Sequence, residues 1–318
     1  MKVSVVICTY SIDRLGYIEK TLKSLSAQTE KPFEIILVLD ENKNLIKSAQ
    51  ARLSSLSSQL RILTTGEPGL SKARNKGVLN ATGDIIAFID DDAFADDRWL
   101  EQLTQPYVDP KVMCVGGKIV PLWDGGRPSW FPEELDWIIG CTYKGHPKRT
   151  CQVRNVIGCN MSFRKVVFDK VGVFEDRIGR VGKKLLAGEE MEFCLRMARK
   201  LPEAKIVYEP TAIVNHYVPL ERKRLNYILK RAYSEGISKA FISRHDGKNT
   251  EKELSTENKY LKYIAREGIV GRLKRRQDMD ILRRMAQILV LILAVMAVGV
   301  GYELTKVKKK NHGVRVLI

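Results

Sequence analysis

The first 120 residues alternate between two hydrophobic periods. Short apolar runs such as VSVVIC, EIILVL and DIIAFID predict strands, and the last is apolar on both faces, as a central parallel strand is. The segment RLGYIEKTLKSLSAQ instead places Leu15, Ile18, Leu22 and Leu25 at helical spacing. Further helices are predicted over LIKSAQARLSSL, GLSKARNKGVLNA and DDRWLEQLTQ, and a further strand over LRILTT. This alternation predicts an α/β protein with a mainly parallel, doubly wound sheet.

A different pattern begins near residue 121. The stretch PLWDGGRPSWFPEELDWIIG is rich in Trp, Pro and Gly and predicts a long connection of the kind that often carries function. Its Trp123, Trp130 and Trp137 are equally compatible with a stacking wall for a ligand and with packing beneath the loop. Order returns with NVIGCNMSFRK, a helix over GEEMEFCLRMARK and a strand over AKIVYEPTAIVNHY, and the pattern beyond residue 219 is helical.

The uncharged segment MAQILVLILAVMAVGVGY occupies positions 285–302. As a helix it would extend about 27 Å, close to a hydrocarbon thickness of about 30 Å. Basic clusters flank it, and residues 201–318 carry 24 basic and 12 acidic side chains, which accounts for most of the net charge of +17. Basic groups beside an anionic leaflet are favourable by roughly 1 kcal/mol each. We therefore predict one transmembrane helix and no nucleic-acid partner, since the basic segments lack interleaved aromatics and nucleic-acid-binding motifs.

The six cysteines form no CxxC pair and have no close histidine partner, which disfavours a zinc site. We expect reduced thiols in a cytosolic setting, and no secretory signal, because the apolar run after Lys2 is too short for one. The sequence also contains neither a GxGxxG after the first strand nor a GxxxxGK[ST]. Dinucleotide-binding and P-loop sites are therefore disfavoured.

Three adjacent carboxylates, Asp90, Asp91 and Asp92, follow the predicted central strand, and Asp40 follows the strand EIILVL. Ligands of open α/β sheets bind outside the carboxyl ends of the strands. Adjacent carboxylates repel each other and resist burial unless positive charge balances them. In an extended segment Asp90 and Asp92 project to one side and Asp91 to the other, so that the pair can hold a hard cation. A solvated loop is the alternative.

An ordered set of elements resembles the family 2 glycosyltransferases, which have the GT-A nucleotide-diphosphosugar transferase fold. The elements are VSVVICTY, EIILVLD, GLSKARNKG, ATGDIIAFIDDD, GCNMSFRK and GEEMEFCLRM, in the family's order over residues 1–216. The resemblance implies a metal-dependent, inverting glycosyltransferase with a Rossmann-like sheet. The chain is similar in particular to archaeal membrane-anchored enzymes that extend dolichyl-phosphate-linked glycans, including those that transfer glucuronic acid.

The resemblance also implies ligands for single residues. Asp92 and Asp90 match the family's DxD element and would bind Mn²⁺ or Mg²⁺, and His216 would complete the metal shell. The residues implied to bind the nucleotide-sugar donor are Asp40, Arg74, Asp84, Asp90 and Asp91.

The pair Glu189–Glu190 matches the family's acidic motif, whose second member is the general base. Glu190 stands where Asp is commoner, so both acids remain candidates for the base. On spacing alone, the pair is explained as well by the ordinary enrichment of acids at a helix N-terminus. Asn160 would shape the junction between donor and acceptor.

These features together predict transfer of a sugar from a UDP- or GDP-sugar to a polyprenyl- or dolichyl-phosphate-linked glycan. The alternatives are a nucleotidyltransferase that uses the same Asp–metal site and a non-catalytic membrane protein that binds sugar nucleotides. We expect a catalytic domain over 1–218, a helical juxtamembrane region over 219–284, a transmembrane helix over 285–302 and a basic tail over 303–318. The expected location is the cell membrane, spanned once, with the catalytic domain cytoplasmic.

Overall fold

A computed structural model describes residues 1–180, 187–245, 255–274 and 280–311. Parts of the expected juxtamembrane region (246–254 and 275–279) and of the basic tail (312–318) lie outside these ranges. The strands are β1 Val3–Thr9, β2 Glu34–Leu39, β3 Leu60–Thr64, β4 Ile85–Ile89, β5 Ala93–Ala95, β6 Val112–Trp123, β7 Cys151–Gln152, β8 Asn160–Arg164 and β9 Lys205–Val218.

The described helices alternate with these strands and then continue beyond them. They are α1 Leu15–Ser26, α2 Lys43–Leu53, α3 Leu70–Asn80, α4 Trp99–Thr104, α5 Lys165–Val171, α6 Glu189–Lys200, α7 Leu225–His245, α8 Ser255–Tyr263, α9 Gly271–Lys274 and α10 Ile281–Asn311. Short 3₁₀ turns cover Ile12–Arg14, Gln105–Val108, Glu133–Ile139 and Leu220–Lys223, and a π-helix covers Ile264–Val270.

One mixed sheet organises the described residues. Its strand order is β3-β2-β1-β4-β8-β6-β9-β5, and β7 pairs with β9. The half formed by β1 to β4 is parallel, as the alternating pattern predicts. Strand β8 then joins β4 in antiparallel orientation, and β5 and β7 join β9 in the same way. Because β6 and β9 run in the same direction as β4, the carboxyl ends of all three reach one edge of the sheet.

Both faces of the sheet are covered by helices. Along β4, Ile85, Ala87 and Ile89 belong to the cluster that contains α1 and α2, whereas Ile86 and Phe88 face the cluster that contains α3, α5 and α6. The four apolar residues predicted on one face of α1 are all buried. Burial on both sides explains why the central strands lack polar alternation.

The sequence pattern did not reveal β5 or β6. Strand β6 continues to Trp123, so the irregular connection begins later than residue 121. Gly116 and Gly117 interrupt its apolar run, and the register with β9 shifts between Gly117 and Lys118. A side chain at Gly117 would collide with the Ala212 carbonyl oxygen. Glycine inside a strand marks such a bulge and weakens the strand signal in the sequence.

The helix α10 has two different faces. Its buried face packs against α7, where a Cβ on Gly236 would collide with the Val298 carbonyl oxygen and one on Gly301 with the Tyr233 carbonyl oxygen. The exposed apolar residues of the opposite face recur at helical spacing: Met285, Leu289, Ile292, Met296 and Val300. The helix is long and apolar enough to cross a membrane.

Candidate active site

The three adjacent aspartates form a turn at the carboxyl end of β4. We had expected an extended segment here. Instead, the Ala93 amide donates a hydrogen bond to the Asp90 carbonyl oxygen at 3.1 Å, so the chain turns. The side chain of Asp90 is 35% exposed, whereas Asp91 and Asp92 are both 3% exposed. The prediction that Asp91 points to the opposite side from Asp90 and Asp92 is therefore wrong, because side chains do not alternate between two sides in a turn as they do in a strand.

Arg14, at the start of α1, balances the two buried aspartates. Its guanidinium donates to the Asp91 carboxylate and, at 3.1 Å, to Asp92 Oδ2. Burial raises the pKa of Asp91 despite the opposing charge of Arg14. Burial also favours neutral Asp92, but His216, Arg14 and Arg222 together lower the pKa of that carboxyl. Arg14 could not be predicted as a partner of the aspartates, since no local pattern links it to residues 77 and 78 positions later.

His216 lies beside the aspartates because β9 pairs with β5. Ala93 and His216 are opposite each other in that pairing, and the Tyr217 amide donates to the Asp92 carbonyl oxygen at 2.9 Å. His216 Nε2 lies 3.2 Å from Asp92 Oδ1. The expected neighbours Asp90, Asp92 and His216 are thus brought together.

Metal-ligating atoms of Asp90, His216 and Cys159 all lie within 4.8 Å of one another. Carboxylate and imidazole ligands suit Mn²⁺ better than Mg²⁺, which prefers oxygen. Burial raises the pKa of the Cys159 thiol well above its usual value, so this third member is a neutral, weak donor. Cys159 was not among the residues predicted from the sequence, because a single cysteine without a close partner carries no metal motif.

Arg74 connects the aspartates to the start of α6. It is buried on α3, and its guanidinium contacts Asp90 Oδ1 at 3.5 Å, Glu189 Oε1 at 2.5 Å and the Gly158 carbonyl oxygen at 3.1 Å. Gly158 also leaves room for the guanidinium, since a Cβ there would lie 2.9 Å from Arg74 Nη2. Arg74, expected to bind the donor, therefore lies between Asp90 and Glu189.

The two glutamates at the start of α6 differ in their surroundings. Glu189 is buried and held by Arg74, whereas the carboxylate of Glu190 forms no ion pair within the described ranges and is half-buried. Burial and the charge of Glu189 raise the pKa of Glu190. A half-buried carboxyl group with a raised pKa is the kind that serves as a general base.

Asp40 and Asp84 lie at opposite edges of the sheet. Asp40 follows β2 at the carboxyl edge, near Thr65 and Gly69, and burial raises its pKa. Asp84 precedes β4, and its carboxylate accepts a hydrogen bond from the Lys2 amide at 2.9 Å. Strand β4, with five residues, separates it from the aspartate turn by about 17 Å. The structure does not bring Asp84 to the site, because a residue before a parallel strand lies at its amino end.

Asn160 and the tryptophans serve packing. The Asn160 side chain accepts from Trp99 Nε1 at 2.8 Å and donates to the carbonyl oxygens of Lys118 and Ala212 at 3.0 and 2.9 Å, so its amide is occupied inside the sheet. All three tryptophans of the connection are partly buried against the core: Trp123, Trp130 and Trp137. The packing alternative therefore describes them better than a stacking wall.

Comparison with known proteins identifies the family. The model of glycosyl transferase family 2 matches residues 4–172. The chain belongs to glycosyl transferase family 2. It is 33% identical over 303 residues to the glucosyl-dolichyl phosphate glucuronosyltransferase of Haloferax volcanii, and the match covers 95% of each chain. It is also 26% identical over 242 residues to the succinoglycan biosynthesis protein ExoM of Rhizobium meliloti, covering 74% of this chain and 73% of that protein.

The fold is shared with a solved structure. A crystal structure of GalNAc-T7 with UDP, GalNAc and Mn²⁺ matches with a TM-score of 0.55 at 18% identity, covering 85% of this chain and 57% of the other. The predicted GT-A fold and the assignment as a glycosyltransferase are confirmed.

Proposed function

We propose that this glycosyltransferase moves a sugar from a nucleotide-diphosphate sugar to a lipid-linked glycan, with inversion at the anomeric carbon and with a divalent cation. The observation that carries the proposal is the convergence of Asp90, Asp92 and His216 at the carboxyl edge of the sheet, one arginine away from the acidic pair of α6. These residues lie at the edge where ligands of open α/β sheets bind, which supports a cation site and a base there.

The cation site would consist of Asp90 and His216, with Asp92 beside them. A divalent cation there supplies positive charge to the departing diphosphate. Asp40, at the end of the neighbouring strand β2, would contact the nucleotide on the donor's side. Asp91 would act through Arg14, because its carboxylate is buried against that guanidinium.

Glu190 is the better candidate for the general base. Its carboxylate would take the proton of the acceptor hydroxyl while the oxygen attacks the anomeric carbon and the bond to the diphosphate breaks. Glu189 would hold Arg74 in place beside Asp90, since its carboxylate is already committed to that arginine. One displacement of this kind inverts the anomeric carbon.

The acceptor class follows from two features. The Haloferax volcanii relative is named for a glucosyl-dolichyl phosphate and for glucuronosyl transfer. The apolar helix α10 would keep the catalytic edge at a lipid surface, where such an acceptor resides. We therefore propose a polyprenyl- or dolichyl-phosphate-linked sugar as the acceptor and a UDP- or GDP-sugar as the donor. Glucuronic acid is among the donor sugars to test.

The membrane attachment would use the exposed face of α10. A single span with a cytoplasmic catalytic domain is the expectation from composition. Packing of the opposite face on α7 favours a second arrangement, in which only the exposed stripe enters the lipid. A C-terminal epitope tag and protease treatment of right-side-out and inverted vesicles distinguish them, since a span puts the tag and the catalytic domain on opposite sides.

The deciding experiment measures release of nucleoside diphosphate from a panel of UDP- and GDP-sugars with Mn²⁺, Mg²⁺ or EDTA, with membrane extract as the source of acceptor. We expect cation-dependent release from one donor, lost in Asp92→Ala, and a labelled sugar in the lipid fraction. Pyrophosphate release would instead indicate a nucleotidyltransferase. Binding of a donor without any release, with lipid-linked acceptor present, would indicate a non-catalytic protein.

A further inference from the structure

Arg180, Arg222 and Arg231 are here called the arginine cluster, because Arg180 is within electrostatic reach of Arg231, of Arg222 and of Asp90 in the aspartate turn. Arg222 belongs to the 3₁₀ turn after β9, and Arg231 lies on α7. These two residues are 8% and 6% exposed, respectively. Arg222 is near Asp92, with 3.7 Å between Nη2 and Oδ2. The cluster thus adjoins the proposed cation site without belonging to it.

The arginine cluster carries more positive charge than its protein partners balance. Arg231 has an ion pair with Glu235 at 3.1 Å, but its Nε is buried and has no hydrogen-bond partner among the described residues. Within those residues, Arg222 has only the long contact with Asp92, and Arg180 forms no side-chain ion pair. Burial and the charges of Arg231 and Arg222 lower the pKa of Arg180. Buried cations left this way are costly unless an anion joins them.

The surroundings of the cluster indicate where such an anion would come from. The Arg180 carbonyl oxygen accepts a hydrogen bond from the Leu70 amide at 3.0 Å, which fixes this residue at the start of α3, on the donor's side of the site. Arg231 lies on α7, and Gly236 further along the same helix is in contact with α10. The cluster therefore includes one residue next to the start of α3 and one residue of the helix that packs against α10.

We propose that the arginine cluster is a phosphate-binding site. Planar guanidinium groups match phosphate oxygens in pairs of hydrogen bonds, and Arg231 Nε, Arg222 and Arg180 supply donors that lack hydrogen-bond acceptors among the described residues. The phosphate belongs either to the diphosphate of the donor or to the lipid carrier of the acceptor. This inference rests on the proposed function for the identity of those two ligands, whereas the binding of phosphate itself does not depend on sugar transfer.

The test is calorimetric binding to the full chain in detergent. Inorganic pyrophosphate is titrated in EDTA, and farnesyl phosphate, UDP and GDP are titrated with Mn²⁺. We expect Arg231→Gln and Arg222→Gln each to weaken pyrophosphate binding about tenfold or more, because each variant loses charge-assisted hydrogen bonds to the phosphate. The matched control is Arg224→Gln, because Arg224 is exposed and its side chain has no recorded bond within the described ranges.

Glu235→Gln separates phosphate binding from a purely structural ion pair. It removes the carboxylate partner of Arg231 but leaves the guanidinium, so we expect pyrophosphate to bind as tightly as to the parent or more tightly. If Arg231 served only to pair with Glu235, Glu235→Gln and Arg231→Gln would both lower stability, and neither would change pyrophosphate binding. Equal pyrophosphate affinity in the parent, Arg231→Gln and Arg222→Gln, all folded by circular dichroism, would overturn the proposal.

The remaining arms identify the source of the phosphate. A loss confined to farnesyl phosphate assigns the cluster to the lipid carrier, and a loss confined to UDP or GDP assigns it to the donor. Both results support the site. If the parent transfers no sugar while pyrophosphate binding is lost in the variants, the proposed function fails and the phosphate site stands.

Discussion

Replacing Glu190 with glutamine separates the two acids at the start of α6. The substitution keeps the size of the side chain and removes its ability to accept a proton. Glu190 has no ion pair within the described ranges, so no buried partner is left uncompensated. Glu189→Gln is a different perturbation, because it leaves the buried guanidinium of Arg74 beside Asp90 without its 2.5 Å partner.

The expected magnitudes differ for the same reason. Loss of a general base costs about 100- to 10,000-fold in kcat, which corresponds to about 3–5 kcal/mol of transition-state stabilisation. We expect this loss in Glu190→Gln with unchanged thermal stability. Breaking a buried ion pair costs about 3–5 kcal/mol of folding free energy. We therefore expect Glu189→Gln to lower the melting temperature as well as the activity.

The pH profile provides a second readout. A general base must be deprotonated, and burial and the charge of Glu189 raise the pKa of Glu190 above its ordinary value of 4.5. The acid limb of kcat/KM should therefore lie well above pH 4.5, with activity increasing as the pH rises through that pKa. In Glu190→Gln this limb should disappear from the residual activity.

The assay is steady-state release of nucleoside diphosphate, combined with thermal unfolding of each variant. Glu192→Gln is the matched control, since it removes an acid of the same helix whose partner is Arg196, at 2.7 Å, rather than Arg74. If Glu190→Gln retained kcat within a factor of a few while Glu189→Gln lost activity without loss of stability, Glu189 would be the base and the argument from burial would be refuted.

Three further outcomes follow from the geometry. Asp84→Asn should leave kcat and KM for the donor unchanged in the same assay, because Asp84 lies at the amino edge of the sheet. A large fall in kcat would show that Asp84 does take part in the reaction. Asp92→Asn should abolish cation-dependent activity while EDTA inactivates the parent reversibly, and Mn²⁺ titration of both proteins checks this. Gly236→Leu should lower the melting temperature in detergent, because any side chain there meets the backbone of α10, whereas Gly299→Leu enters open space and should have little effect.

The parallel half of the fold could be predicted because its signals are local. The apolar positions of α1 recur within one helix, and β1, β2 and β4 are continuous apolar runs. The antiparallel half is set by pairings between distant segments. Strand β5 has three residues, and β6 is interrupted by a bulge at Gly117 that serves close contact with β9. Neither has a period long enough to be recognised in sequence.

The site residues also divide into those with a local sequence signal and those that depend on contacts between distant segments. Asp40 and the aspartate turn could be expected at the carboxyl edge because each follows a parallel strand. The ion pairs of these acids could not. Arg14 was not among the predicted residues, and Arg74 was expected from the resemblance to bind the donor, but no spacing rule relates either arginine to the aspartates. Charge balance predicts that such cations must exist but not which residues supply them.

The ambiguity between Glu189 and Glu190 has the same origin. In sequence the two acids are neighbours of the same type, and the helix start explains both equally well. In the fold, α3 brings Arg74 to Glu189, which commits that carboxylate to an ion pair, while burial and the nearby charge of Glu189 raise the pKa of Glu190. The difference between a positioning acid and a proton acceptor is therefore a property of the packing of α3 against α6. Any substitution that moves Arg74 should exchange or abolish the two roles together, rather than affect one of them alone.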